Sequence, residues 1–215
     1  MWEDEMSVPV NRSRINGVYP GVLAALLFVT ATALAAGDSV MIFDFQDPKT
    51  AKNWIAVNDG VMGGVSDGRL RITEDGKLEF FGSVSLENNG GFASIRSRDR
   101  ETDLSDYDGV IIRVRGDGKR YAFNIRTDLR IMAGSYRVKF ETEAGEWQEI
   151  GLPFSAFEAT SFGQVRRDLP ALAPGKIRSF GFLVSDKQEG PFKLEVDWIK
   201  VGRFAAEAPS PSPSR

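Results

Sequence analysis

The stretch FKLEVDWIKV, residues 192–201, decides the fold. Phe192, Leu194, Val196 and Trp198 occupy every second position, with Lys193, Glu195 and Asp197 between them. Successive side chains of an extended chain point to opposite sides, so this pattern is that of a strand with one face in a core. On that count Trp198 closes the apolar stripe as a buried anchor, and Trp54 and Trp147 are expected in the core as well, because large aromatics dominate buried area.

Working outward, the same period of two recurs at Leu70 and Ile72, Leu78 and Phe80, Tyr121 to Ile125, Tyr136 to Phe140, and Phe180 to Val184. Between these runs stand Asp67-Gly68, Asp75-Gly76, Asp108-Gly109, Asp117-Gly118 and Ala144-Gly145. Glycine accepts the positive φ of tight turns, so each pair reads as a hairpin signal. No window sustains a helical period. The segment 153–164, PFSAFEATSFGQ, has room for one short helical turn. Many short strands with glycine turns predict an all-β fold, an antiparallel β-sandwich of the jelly-roll kind. Its terminal strands, near Val40–Phe45 and Phe192–Val201, are expected side by side.

The two ends read differently. Residues 21–36, GVLAALLFVTATALAA, are apolar and uncharged, shorter than the roughly 20 residues of a membrane span. Arg12 and Arg14 precede this run, and Ala33-Leu34-Ala35 supplies small residues for cleavage. Residues 1–36 are thus expected to be a signal peptide, or an uncleaved anchor if processing fails. Glu3, Asp4 and Glu5 fit a start at Met6 better than one at Met1. The expectation is an exported protein, periplasmic or secreted, whose mature chain has no transmembrane segment. Residues 205–215, AAEAPSPSPSR, offer no apolar face and read as a disordered Pro/Ser tail. The 37–204 segment between them fits one domain with one core.

Composition narrows function. The chain has no cysteine and no histidine, which removes thiolate chemistry, the commonest general base and the commonest metal ligand. A formal net charge of -3 provides no basic field for nucleic acid. The aspartates 44, 47, 59, 103, 106, 108 and 197 sit mostly in turn sequences, where their side chains serve hydrogen bonding. No EF-hand spacing is present. A non-catalytic binding domain without cofactor or metal is expected, with a carboxylate-pair enzyme as the remote alternative.

The densest motif is Asn58-Asp59-Gly60-Val61-Met62-Gly63-Gly64-Val65-Ser66. It is either a structural turn or a loop whose backbone approaches a partner. It lacks the spacing of a nucleotide loop. Together with FDF at 43–45, Trp54, GGFAS at 90–94, DLSDYDGVIIRVRGDGKRY at 103–121 and LEVDWIKVG at 194–202, it resembles the complex I intermediate-associated protein 30 family over about residues 41–202. The resemblance implies a galactose-binding-like sandwich, related in fold to carbohydrate-binding modules. It further implies an assembly role, since the mitochondrial member is implicated in building the membrane arm of NADH:ubiquinone oxidoreductase and plant relatives in assembling photosynthetic complexes. The secretory-looking leader departs from the mitochondrial pattern.

Alternation also assigns the polar faces. Asn124 and Arg126 lie opposite Phe123 and Ile125, and Arg137 and Lys139 opposite Tyr136 and Val138. Arg113 and Arg115 lie opposite Val110, Ile112 and Val114, and Arg96 opposite Ile95. If these strands share a sheet, one face carries several guanidinium forks suited to carboxylate, phosphate or sugar hydroxyls; otherwise it is a solvated sheet face. The candidate binding residues are Asn58, Asp59, Met62, Gly63, Gly64, Ser66, Asn124, Arg126 and Arg137. Asp59 and Arg126 are either partners of each other or separate elements. The expected partner is a protein client, such as a membrane-complex subunit, or a glycan.

Overall fold

The computed structural model describes residues 38–204 apart from Arg130 and Ala133. The signal-peptide and tail expectations lie outside the described residues. In chain order the strands are β1 (Ser39–Phe43), β2 (Trp54–Ala56), β3 (Asp67–Ile72), β4 (Leu78–Val84), β5 (Ala93–Ser97), β6 (Gly109–Arg115) and β7 (Arg120–Thr127). They continue as β8 (Gly134–Glu141), β9 (Trp147–Pro153), β10 (Glu158–Ser161), β11 (Gln164–Val165), β12 (Ile177–Val184) and β13 (Gly190–Gly202). One sheet runs β3-β4-β13-β6-β9, with β1 also on β13; the other runs β11-β10-β8-β7-β12-β5-β2. All pairings between named strands are antiparallel, and the two sheets form a sandwich. The terminal strands meet as expected, with Ser39 opposite Gly202.

The core lies between the two inner faces. Leu78, Phe80, Leu194 and Val196 from the first sheet are fully covered, as are Phe123, Ile125 and Phe182 from the second. Trp54 joins them, stacked near Phe182 and edge-on to Phe43. The alternation read from the sequence is therefore the inward stripe of each sheet.

Two expectations need correction. Trp198 is not a core anchor. The register of β13 against β6 slips after Val196, so that Trp198 rather than Asp197 pairs with Arg113. A bulge of this kind puts two consecutive residues on one side. Asp197 and Trp198 both face outward, and Ile199 and Val201 take over the inner face. Trp198 is half-buried beneath the Lys200 ammonium, 4.1 Å from its ring centre. Trp147 also lies outside, with the guanidinium groups of Arg113 and Arg115 at 5.1 and 4.8 Å from its ring centre.

The turn signals are the second correction. Asp75-Gly76 closes the β3–β4 hairpin, but Asp67-Gly68 and Asp108-Gly109 are taken up at strand starts. Asp117-Gly118 and Ala144-Gly145 carry the chain from one sheet to the other, side by side, with the Gly145 amide donating to the Gly116 carbonyl at 2.9 Å. Gly118 and Gly145 have φ of 88° and 80°. Glycine marks where positive φ is needed, not which strands the turn joins. In the 153–164 segment, a single helical turn at Phe154–Ala156 leads directly into β10.

Candidate functional site

The glycine-rich motif folds into a knot around one carboxylate. Asp59 is 1% exposed. It accepts from the Ser66 amide at 3.0 Å, the Ser66 hydroxyl at 2.6 Å, and the Gly91 and Phe92 amides at 2.8 and 3.2 Å. Burial opposes ionisation, but the Ser66 hydroxyl and these three amides outweigh it and hold the carboxyl below the usual range. The glycines make room: a Cβ on Gly64 would sit 2.4 Å from Asp59 Cγ, and one on Gly90 2.7 Å from Asp59 Oδ2. Asn58 Nδ2 donates to the Gly68 carbonyl at 3.0 Å. The two motifs 58–66 and 90–94 thus form one hydrogen-bonded unit. Asp59 pairs with these groups and not with Arg126. Gly63, with φ of 89°, is exposed at the tip beside Met62.

The remaining candidates meet elsewhere. Cross-strand register aligns Glu158, Arg137, Asn124, Gly181, Arg96 and Ile55 in one row across the outer face of the second sheet. Arg126 lies one step along β7, opposite Ser179. Arg137 Nε donates to Asn124 Oδ1 at 3.1 Å. Arg96, Arg126 and Arg137 have no carboxylate at ion-pair distance among the described residues. Glu158, though opposite Arg137, is exposed and does not reach it. Burial lowers the Arg126 pKa, as does the neighbouring Arg96, against a partial offset by Asp99. Burial also lowers that of Arg137, eased by Asp186 and reinforced by Arg126. These shifts come chiefly from burial of positive charge, with the neighbouring arginines a smaller cause.

Arg113 and Arg115, expected as candidates for the same face, belong to the other sheet. There, every buried carboxylate is matched to a cation. Asp197 bonds Arg113 and, at 2.6 Å, Lys77. Glu195 takes Arg115 at 2.8 Å, and Glu79 takes Arg71 and, at 3.2 Å, Lys193. On the first face each buried carboxylate thus has its cation, whereas on the second Arg96, Arg126 and Arg137 have no carboxylate partner among the described residues. Alternation places a residue on a face but cannot say which sheet owns the strand.

A groove of about 490 Å³ lies at one end of the charged face, lined among others by Arg96, Asp99, Arg126, Asp128, Tyr136 and Arg178. Arg96 and Arg126 also wall a smaller hollow of about 40 Å³, floored by Ser179, Phe180 and Gly181. Asp99, Arg178, Ser179 and Gly181 were not among the residues expected from sequence. Gly181 between Phe180 and Phe182 was the available signal, because a glycine set between two core aromatics leaves a dent on the outer face. Among the described residues no group of three or more acidic side chains is placed to hold a metal, and no helix is long and apolar enough to cross a membrane.

Comparison with known proteins places this geometry. A protein 32% identical over 181 residues is the mouse "Complex I intermediate-associated protein 30, mitochondrial", the match covering 75% of this chain and 55% of that one. The Drosophila melanogaster protein of the same description is 31% identical over 185 residues, covering 76% and 62%. The chain thus matches little more than half the length of these relatives. Among solved structures, the family 11 carbohydrate-binding module of a Clostridium thermocellum cellulosomal cellulase superposes with a TM-score of 0.60 at 18% identity. That match covers 82% of this chain and all of the module, a likeness of fold. The family profile described as Complex I intermediate-associated protein 30 matches residues 43–196, so the chain belongs to the complex I intermediate-associated protein 30 family.

Proposed function

We propose that this domain is a non-catalytic, assembly-factor-like module that holds a protein client on the arginine-bearing face of its second sheet. The carrying observation is the contrast between the two outer faces: on the first, Arg71, Lys77, Arg113, Arg115 and Lys193 pair with carboxylates, while Arg96, Arg126 and Arg137 are half-buried with no carboxylate at ion-pair distance among the described residues. Desolvated positive charge without a partner costs stability, and an anionic partner repays it. The relatives' description as complex I intermediate-associated proteins supports a protein client. The buried carboxylates Asp59, Glu79, Glu195 and Asp197 are all engaged in hydrogen bonds or ion pairs, which supports the non-catalytic reading.

A glycan partner draws on the fold likeness to carbohydrate-binding modules. The row across the face presents no aromatic ring for a sugar to stack on, which favours the protein client. The test is affinity capture from the native host with wild-type protein and Arg126→Ala. Loss of a specific client with an unchanged melting midpoint supports the proposal; equal recovery of the client by both proteins refutes it. The apolar leader adds the cell envelope as the place of encounter. N-terminal sequencing that begins near Gly37 supports that part, and an intact N-terminus in a soluble cytoplasmic fraction rejects it.

A further inference from the structure

Within the charged face one group has no explanation in the fold itself. The Ser179 hydroxyl is 1% exposed and makes no hydrogen bond, one of three such buried side-chain atoms among the described residues. Trp54 Nε1 and Asn58 Oδ1, the other two, lie on residues of the aromatic core and the glycine knot. Ser179 instead floors the small hollow walled by Arg96 and Arg126, with Asn124 beside it. A buried hydroxyl is ordinarily partnered, and an orphan next to two unpaired guanidinium groups points to a missing acceptor.

Size and charge define that acceptor. The hollow has room of about 40 Å³, and one water centre needs roughly 10–15 Å³ on this measure, so it holds a head group of about three heavy atoms. Its walls carry the positive charges of Arg96 and Arg126, with no carboxylate at ion-pair distance among the described residues, so the acceptor is an anion. A planar carboxylate with two forked oxygens matches that room; a tetrahedral phosphate or sulfate group is too large. Gly181 lets β12 lie close to β5 beneath the hollow, since a Cβ there would sit 2.4 Å from the Ile95 carbonyl oxygen and 3.2 Å from Arg96 Cβ.

We propose that the hollow between Arg96, Arg126 and Ser179 is an oxyanion pocket for a single carboxylate, the side chain of an aspartate or glutamate on the client. The nature of its occupant rests on the client-binding reading above. The adjoining 490 Å³ groove then carries the chain bearing that side chain.

The probe is a fluorescein-labelled Gly/Glu octapeptide, with its Gly/Gln counterpart as control, followed by fluorescence anisotropy with the full domain at constant ionic strength. The Glu peptide should bind at least about tenfold more tightly than the Gln peptide, and Arg126→Ala should cost about tenfold or more, as charge-assisted pairs do. Arg113→Ala, on the other sheet, should leave peptide binding unchanged. Ser179→Ala should weaken binding several-fold without lowering the melting midpoint, because the hydroxyl bonds no protein group among the described residues. It also carries the test if Arg126→Ala fails to fold. Equal binding of the two peptides, or undiminished binding by Ser179→Ala, overturns the pocket. Displacement by inorganic phosphate at lower concentration than by acetate overturns the carboxylate assignment. The two readings separate cleanly. Client recovery that depends on Arg126, without any Glu-peptide binding, sinks the pocket alone. Peptide binding that depends on Arg126, with client recovery unchanged, sinks the client face.

Discussion

Replacing Asp59 with alanine should destabilise the domain by about 3 kcal/mol, a figure built from its four donors. Hydrogen bonds to a charged group contribute about 1.5–3 kcal/mol each, and a buried donor left without a partner costs about 1–3 kcal/mol. The donors are not equal. The Ser66 amide is buried and loses everything, whereas Gly91 and Phe92 are half-buried and water can replace part of what they lose. The Ser66 hydroxyl already lies 3.2 Å from the Ser85 carbonyl and can turn to it. One full loss and three partial ones give the total. Urea denaturation at pH 7, with wild type and Asp59→Ala compared at equal m-value, measures it. A loss below about 1 kcal/mol would show that the knot is not held by this carboxylate. Its pH dependence has a definite sign. The folded pKa is depressed below the ordinary 3.8, so the stabilisation is fully present above 3.8 and disappears as pH falls through the folded value. The stability gap between wild type and Asp59→Asn should therefore close on acidification below that point.

Two substitutions test the architecture more broadly. Trp198→Ala should cost only about 1 kcal/mol, against about 3–5 for Phe182→Ala, because the bulge moves the indole out of the core; a Trp198 loss above about 3 kcal/mol would contradict the register. Gly82→Ala places a Cβ 1.7 Å from the Asp67 carbonyl oxygen at a φ of 151°. It should open the β3–β4 pairing, seen as lost amide protection across Asp67–Ile72, and unchanged protection would refute this.

The fold was legible where a single strand determines it. Tyr121, Phe123 and Ile125 all point inward because their spacing allows nothing else. Trp198 misled because period-two counting assumes unbroken register, yet a signal was present: Leu194 and Val196 are followed by Ile199 and Val201, two apolar pairs out of phase by one residue. The site was half legible. Asn124, Arg126 and Arg137 do share a face, whereas Arg113 and Arg115 obey the same local rule on the opposite sheet. The fate of Asp59 depended on Gly91 and Phe92, some thirty residues away, which no local pattern joins to it. Ser179 lies next to a register slip in β12, where face assignment by counting also fails.

The position of β13 has a consequence for how the molecule comes into being. Its first half pairs with β4, its second half with β1, and β6 lies along its other side. Until Phe192–Gly202 has left the ribosome, those three strands lack their shared central partner. The first sheet cannot close progressively behind synthesis; it waits for one late segment to bridge parts of the chain made long before. Such distant pairings must overcome chain entropy before any contact rewards them, which makes folding slow. Over that interval the unsatisfied edges of β4 and β6 are open to the wrong strand. While being made, the chain is thus an intermediate with an exposed seam.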